Sequence, residues 1–312
     1  MSRLLNIKFQ QSINYTRNSI PSRAANFKAI ILYRIQNAGI CYGANTFHIQ
    51  NVAKLCILCF VVTNVTQIIE LFMAKEDPKK LFACFSVLSF CLMGLLKLRS
   101  LLGNQERWRA LIVQASSLEH NQLIYNHKLP DYESDNEDDH FSEHIKTYTK
   151  KFVTISTYLN RIYSFTAVVF IASPFFEYAI YMGQGKEDIG LPHILPGWAP
   201  LDTNAFGYIV TVLAEGLAAV YCVRVHVAFD LTAVGLMIFI HGQFTLLHEY
   251  SQRIGGRGNK YNFTKKRDDR AHFRIKQCHQ IHVLLLKYDS FFFEVSKIDL
   301  IFMFFNRYVS VL

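Results

Sequence analysis

Charged residues are scarce in this sequence. Asp, Glu, Lys and Arg make up 18% of the 312 residues, whereas an ordinary soluble domain carries roughly 25%. Hydrophobic residues account for 51% of the chain, and they gather in long blocks that hold almost no charge. This composition excludes an intrinsically disordered chain and a collagen-like repeat. Because the blocks are long enough to cross a bilayer, the sequence predicts a polytopic membrane protein.

Signals of catalysis, cofactors and metals are also few. The seven cysteines lie in or beside apolar blocks or in basic segments, which excludes a secreted disulfide framework. Cys56 and Cys59 form a CxxC inside an apolar block, a position that favours packed thiols over a zinc or redox site. The glycine-rich stretch 255–258 lacks the Lys-Ser/Thr of a phosphate-binding loop. We therefore expect no enzyme, no cofactor and no metal.

An acidic run with two histidines lies between two of the apolar blocks. It lacks the glycine and the terminal glutamate that a calcium-binding loop requires at fixed spacing. The sequence therefore predicts a solvated cytoplasmic loop there. Its acidic members are Asp131, Glu133, Asp135, Glu137, Asp138, Asp139 and Glu143.

Five apolar stretches predict membrane-spanning helices, so the predicted fold class is an all-α membrane helix bundle. They cover 52–73, 81–96, 162–182, 206–229 and 297–312. A helix needs about 20 residues to cross a hydrocarbon core about 30 Å thick, and the first four meet this length with their flanks. The fifth ends with the chain, which predicts a sequence that stops inside a hydrophobic element. The start of the chain lacks the apolar core of a signal peptide, so the first span is expected to direct insertion.

The distribution of Lys and Arg predicts which ends of the helices are cytoplasmic. The segments 1–54, 97–161 and 253–276 carry 25 of these residues, whereas the alternate loops 74–80 and 183–205 carry four. Cytoplasmic loops are enriched in Lys and Arg. We therefore expect a multi-pass protein of the plasma membrane whose N-terminus is cytoplasmic.

The fourth apolar stretch continues past the length of one span. Residues 231–247 are also apolar, and a second span there would need a turn at 224–230, which contains no Gly or Pro. One helix of about 45 residues, about 68 Å long, fits better. Its second half is then expected to project into the cytoplasm within a helical stalk at 231–296. A stripe before the fifth span supplies a partner: Ile281, Leu284, Leu285, Tyr288, Phe291, Phe292 and Val295.

The segment 1–51 is predicted to be cytoplasmic and to contain an interfacial helix. Its apolar stripe consists of Phe27, Ile30, Ile31, Ile35 and Ala38, next to basic side chains. The domain organisation expected from these patterns is this segment, spans one to four at 52–230, the stalk at 231–296 and the start of a fifth span at 297–312.

Intramembrane charge and aromatic side chains indicate where a ligand could bind. Glu215 is placed about nine residues, or about 14 Å, from the outer end of its span, where an ionised carboxylate must be paired or water-lined. A structural role and a pocket role for it both remain open. The outer halves of several spans are rich in Phe and Tyr. Converging helices lined in this way would bind a small apolar ligand.

Three segments resemble a known family. The outer-loop segment at 195–202 contains Pro196, Trp198, Pro200 and Asp202, and it resembles the Pro and Trp-x-Pro-x-Asp segment before the fourth helix of insect odorant receptors. The end of the long helix at 241–247 and the approach to the fifth span at 278–286 are similar to the same family. Gly39 to Gly43 departs from it, because the usual Trp-Pro is missing.

The resemblance implies an odorant receptor that binds a small volatile odorant and works with an olfactory co-receptor as a subunit of an odorant-gated cation channel. The family's seventh helix lines the pore, and this chain is expected to lack the sixth and seventh helices. Membrane lipid is the other expected partner, and nucleic acid is not. The pocket is expected in the outer half of the bundle, closed by the loop with Trp198. The ligand-binding residues predicted there are Phe85, Phe175, Tyr178, Trp198, Tyr208, Thr211 and Glu215.

Other membrane proteins fit less well. A rhodopsin-type receptor would have an extracellular N-terminus and an acid-Arg-Tyr motif at the inner end of its third helix, where this sequence reads Asn160-Arg161-Ile162-Tyr163. A multi-helix transporter would show inverted repeats or helices broken by Gly and Pro. A gustatory receptor shares the predicted architecture and remains an alternative.

Overall fold

A computed structural model describes residues 30–36, 38–39, 47–127, 137–185 and 190–252, together with 271–272, 275–276, 278–283, 285–287 and 290. This part of the chain is all-α. Five long helices follow one another: α1 (Phe47–Met73), α2 (Pro78–Gly103), α3 (Gln105–His127), α4 (Glu137–Gly183) and α5 (Ala205–Gln252). The predicted fold class, an all-α membrane helix bundle, is confirmed.

Four of these helices are long and apolar enough to cross a membrane. The candidate spans are Asn51–Glu76, Pro78–Gly103, Glu143–Gly183 and Ala205–Glu249, and they contain the first four predicted spans. The fifth predicted span, at 297–312, lies outside the described residues.

A tight turn joins α1 to α2. The 3-10 turn Ala74–Glu76 is followed by Asp77, whose side chain accepts hydrogen bonds from the backbone N–H groups of Lys79 and Lys80 at 3.0 and 3.3 Å. Pro78 occupies the first turn of α2, where its missing N–H costs no intrahelical hydrogen bond. These local signals end one helix and start the next within a few residues.

Helix α5 runs without interruption through the region where a two-span arrangement would require a turn. It contains 48 residues, which corresponds to about 72 Å and more than twice the hydrocarbon thickness. The prediction of one long helix is confirmed.

Helix α4 is longer than the third predicted span, and its early start corrects the predicted solvated loop. The helix begins at Glu137 and has 47 residues, so the second half of the acidic run belongs to it. The sequence signal is a narrow stripe of buried residues before the apolar block, at Ile145, Tyr148, Phe152 and Ser156. This spacing is helical. The charged residues on the other faces make the segment polar on average, so its composition does not reveal the stripe.

The N-terminal half of α4 and the C-terminal half of α5, which we call the inner halves, pack through aromatic rings that lie against glycines. A Cβ atom added to Gly235 would lie 2.8 Å from the ring of Phe152, and one added to Gly242 would lie 2.8 Å from the ring of Tyr148. Both rings are buried. Small residues let two helices approach closely, so α4 is one partner of the C-terminal half of α5. Ile281 and Leu285 of the predicted stripe are also buried.

The N-terminal helical residues 30–36 pack on protein. Ile31, Ile35 and Ala38 are fully buried in the main hydrophobic core, so these three members of the predicted stripe pack against the other helices. The hydroxyl of Tyr221 donates to the carbonyl of Ala38 at 3.1 Å, and Arg34 Nη1 donates to Asn160 Oδ1 at 2.8 Å. The position of this segment at the membrane interface stays a prediction.

Helix α3, which the sequence interpretation missed, packs against this inner region. Trp108, Ile112, Ala115 and Glu119 form its buried stripe. The hydroxyl of Tyr148 donates to Glu119 Oε1, and Glu119 Oε2 has no hydrogen-bond partner among the described residues. Burial raises the pKa of Glu119 to about 7, although the Tyr148 hydrogen bond opposes this shift. The carboxyl can therefore keep its proton near neutral pH, which avoids the cost of an unpaired buried charge.

Replacement of Gly242 by alanine should destabilise the packed inner halves of α4 and α5. The added methyl group would overlap the Tyr148 ring, and such overpacking costs about 1–3 kcal/mol. We expect an apparent Tm several degrees lower for the detergent-solubilised protein, measured by size-exclusion chromatography after heating.

Gly103→Ala is the matched control, because a Cβ there meets nothing within 4 Å and alanine favours a helix more than glycine does. An equal loss of stability in both variants would contradict the packing described here.

Candidate functional site

Residues 190–204, between α4 and α5, form a loop that packs into the helix bundle and that we call the outer loop. Ile194 and Leu195 are 5% and 3% exposed, an unusual degree of burial for a loop because its backbone polar groups need partners. Glu215 of α5 supplies them. Its Oε2 accepts from the backbone N–H groups of Ile194 at 2.9 Å and Leu195 at 3.3 Å. One side chain therefore satisfies two buried donors of the loop.

His193 connects Glu215 to a second carboxylate. Its Nδ1 lies 3.1 Å from Glu215 Oε1, and its Nε2 lies 2.7 Å from Asp202 Oδ2. Only the doubly protonated imidazolium can donate to both. The hydrogen bond to Glu215 raises the pKa of His193, partial burial lowers it, and the negative charges of Glu215 and Asp202 raise it further. The net shift is upward, so the bridging cation persists to higher pH than for a free histidine.

Further hydrogen bonds attach the loop to three helices. The N–H of Trp198 donates to the carbonyl of Thr66 at 3.2 Å on α1. The thiol of Cys84 on α2 lies 3.7 Å from the carbonyl of Pro196, and the hydroxyl of Tyr208 on α5 donates to the carbonyl of Pro192 at 2.8 Å. A Cβ on Gly197 would lie 3.0 Å from Thr66 Oγ1, so glycine permits this close approach.

The structure groups some of the predicted site residues around this loop. Tyr208 and Glu215 both contact His193, whose ring meets that of Tyr208 edge-on at 5.7 Å. Thr211 lies between them along α5, partly buried, and donates to the carbonyl of Gly207 at 3.0 Å. Tyr178 on α4 is partly buried.

The other predicted site residues are exposed. Phe85, Phe175 and Trp198 are 36%, 38% and 42% exposed. Among residues 157–183 of α4, all of which the structure describes, none is buried. An open groove on this helix is lined by Val168, Val169, Ala172, Ser173, Phe176, Glu177, Ile180 and Tyr181. This face of α4 is therefore uncovered within the described chain.

The contacts of Glu215 fit a structural role, and its predicted role in a pocket stays a prediction. Both of its carboxylate oxygens are occupied by the loop, and the side chain is 6% exposed. The sequence placed this acid in the membrane but could not name its partners. His193 and Asp202 lie on the outer loop, about 13 to 22 residues before Glu215 in sequence. Within the described part of the chain, no three metal-ligating side chains have the arrangement of a metal site.

A second polar cluster, which the sequence interpretation missed, joins the C-terminal part of α2 to the middle of α4 and the middle of α5. Lys97 Nζ donates to Asp230 Oδ1 at 2.6 Å, and the hydroxyl of Tyr163 donates to Asp230 Oδ2 at 2.5 Å. Lys97 also donates to His226 Nδ1 at 3.2 Å, which assigns the ring proton to Nε2, where it meets the carbonyl of Phe90 at 3.3 Å. The available sequence signal was a pair of opposite charges, with Lys97 directly after the second predicted span and Asp230 directly after the fourth.

Comparison with known proteins identifies the family. Residues 77–298 match the family of seven-transmembrane (7tm) odorant receptors. The chain belongs to the insect odorant receptor family. The matched range contains α2 to α5, the outer loop and both polar clusters. No curated protein matches the chain.

The family assignment confirms the resemblance found in the sequence. This odorant receptor belongs to a family of receptors and channels, not of enzymes. Its apolar helices make it a multi-pass membrane protein. The match favours an odorant receptor over a gustatory receptor or a transporter.

Removing one partner of the Lys97–Asp230 ion pair should destabilise the receptor more than removing both. The two side chains are only 13% and 25% exposed, and an unpaired charge in such a place is costly, whereas an apolar replacement of the whole pair can be nearly neutral. We expect Lys97→Met and Asp230→Leu each to reduce the monodisperse folded fraction in detergent. The double variant should recover a large part of it.

Arg99→Met serves as the control, since Arg99 is an exposed residue two positions from Lys97. Additive losses in the double variant would show that the ion pair is not coupled across the helices.

Proposed function

We propose that this odorant receptor binds a small, apolar volatile compound in the outer half of its helix bundle and acts with an olfactory co-receptor as a subunit of an odorant-gated cation channel. The observation that carries the proposal is the buried outer loop, which meets α5 beside aromatic side chains of α4 and α5. The family match supports the receptor activity. The channel partnership is what family membership leads us to expect.

The chemistry of volatile ligands supports this location. Such ligands offer few polar groups, so affinity must come from burying apolar surface, at about 25 cal/mol per Å². Phe85, Phe175 and Trp198 supply exposed rings on α2, α4 and the loop. Tyr178 and Tyr208 supply a ring face and a hydroxyl, which suits one orienting contact. Glu215 supports this site by holding the loop and not by contacting the ligand.

We further propose that the receptor lies in the plasma membrane with its N-terminus and the inner halves of α4 and α5 in the cytoplasm. The 25 to four distribution of Lys and Arg supports this orientation. The loop 190–204 is then extracellular, where volatile ligands arrive.

The topology can be tested with a new glycosylation site. Lys186→Asn together with Asp188→Thr creates an Asn-x-Thr sequon in the outer loop, and we expect a glycan there but none at the native sequon of Asn262. Gel mobility before and after glycosidase treatment measures both. Glycosylation of Asn262 with an unmodified residue 186 would reverse the proposed orientation.

The ligand site can be tested by currents in cells that also express the co-receptor. Phe175→Ala removes a ring and Tyr178→Phe removes a hydroxyl, so each should change the rank order of a panel of volatile compounds. Loss of one well-buried ring contact corresponds to about a tenfold change in half-maximal concentration.

The matched control is Phe165→Ala, a ring on α4 that is 72% exposed and lies toward the inner half. Surface expression should be the same for all three variants. An unchanged rank order for both pocket variants, with a shift in the control, would place the ligand elsewhere.

A further inference from the structure

Glu215, His193 and Asp202 form a connected unit that holds the outer loop, and no ligand contact is needed to explain it. Glu215 accepts three hydrogen bonds, two from loop backbone N–H groups and one from His193. His193 in turn meets Asp202 at 2.7 Å. We call this unit the loop anchor. It joins both ends of the loop segment 193–202 to one side chain of α5.

We propose that the loop anchor positions loop 190–204 as the outer wall of the ligand pocket and releases it when His193 loses its bridging proton. The inference rests on the proposed function in one respect, namely that the pocket lies beneath this loop. The anchor itself stands on the distances alone. Glu215 and His193 are thus positioning residues for ligand recognition.

The charges around His193 determine the direction of the pH dependence. The titratable groups that face it are the carboxylates of Glu215 and Asp202 and the phenol of Tyr208. Below its raised pKa, the imidazolium donates to both carboxylates. Above it, the neutral ring donates to one carboxylate only, and the other is left facing a nitrogen lone pair. The anchor is therefore strongest at low pH and weakens as pH rises through the pKa of His193.

The remaining contacts of the loop explain why release would be partial. In the hydrogen bonds from Trp198 to Thr66 and from Tyr208 to Pro192, the acceptors are backbone carbonyls, which do not titrate. They keep Pro192 and Trp198, which lie on either side of 193–195, on the bundle. The segment whose attachment weakens is therefore 193–195, where the two backbone hydrogen bonds to Glu215 Oε2 are the ones that do not depend on the proton of His193.

Cysteine accessibility tests the anchor without any odorant. Leu195→Cys places a thiol at a 3% exposed position, and Leu191→Cys places one at a 49% exposed position of the same loop. Maleimide labelling is measured in detergent by mass spectrometry at each introduced cysteine. The ratio of the two rates cancels the intrinsic dependence of thiol reactivity on pH. We expect this ratio to rise severalfold between pH 6 and pH 8.5.

Two variants separate the anchor from general loosening. Glu215→Gln should raise the labelling ratio about tenfold at pH 6, whereas His193→Gln should make the ratio independent of pH. Glu177→Gln is the control, because that exposed carboxylate accepts a hydrogen bond from Tyr181 of its own helix, at 3.1 Å, and lies outside the loop anchor. A ratio that is flat in the parent protein and unchanged in Glu215→Gln overturns the proposal, as does a pH dependence that persists in His193→Gln.

Odorant currents test the link to the pocket. In cells with the co-receptor, Glu215→Gln and His193→Gln should shift half-maximal concentrations across a panel of volatile compounds, and His193→Gln should remove their dependence on external pH. Labelling that changes without any change in the currents overturns the loop's role as a pocket wall. A parent protein with the expected labelling but no odorant response overturns the proposed function and supports the anchor.

Discussion

The carboxylate of Glu215 determines the arrangement of the outer half of this bundle. An acid in the apolar middle of a membrane helix needs hydrogen-bond donors, because desolvation of an unpaired charge costs several kcal/mol. The outer loop provides three donors, and in doing so its backbone loses access to water. The requirement is therefore mutual. The acid pulls the loop inward, and the buried N–H groups of the loop keep the acid in place.

Helix α5 carries both polar clusters, which explains its central position. Near its outer end it holds Glu215, and it holds His226 and Asp230 at positions 11 and 15 residues further on. The first cluster attaches a loop, and the second attaches α2 and α4. Apolar packing between membrane helices has little directional preference. The two clusters supply the direction, since each hydrogen bond is satisfied in only one rotation of the helix.

The features of the fold that could be predicted from the sequence are those that depend only on long apolar blocks. The four spans and the continuity of α5 follow from long uncharged blocks without breakers at 224–230. Helix α3 and the first part of α4 were missed because a single buried stripe, such as Ile145, Tyr148 and Phe152, is diluted by charges on the other faces. The partners of Glu215 could not be predicted, because they lie on a loop whose path is set by tertiary contacts. The same holds for Lys97 and Asp230, which are far apart in sequence and meet only when α2 and α5 pack.

Because α5 is one continuous helix, a tilt moves both of its ends. Asp230 lies about 38 Å from the outer end of the helix and about 33 Å from its inner end, so the ion pair with Lys97 is close to the midpoint. For a stiff rod held near its middle, a small tilt moves the two ends in opposite directions by similar distances. A displacement of the outer loop by a few ångströms is therefore matched in size at Gln252, without any change in secondary structure between them.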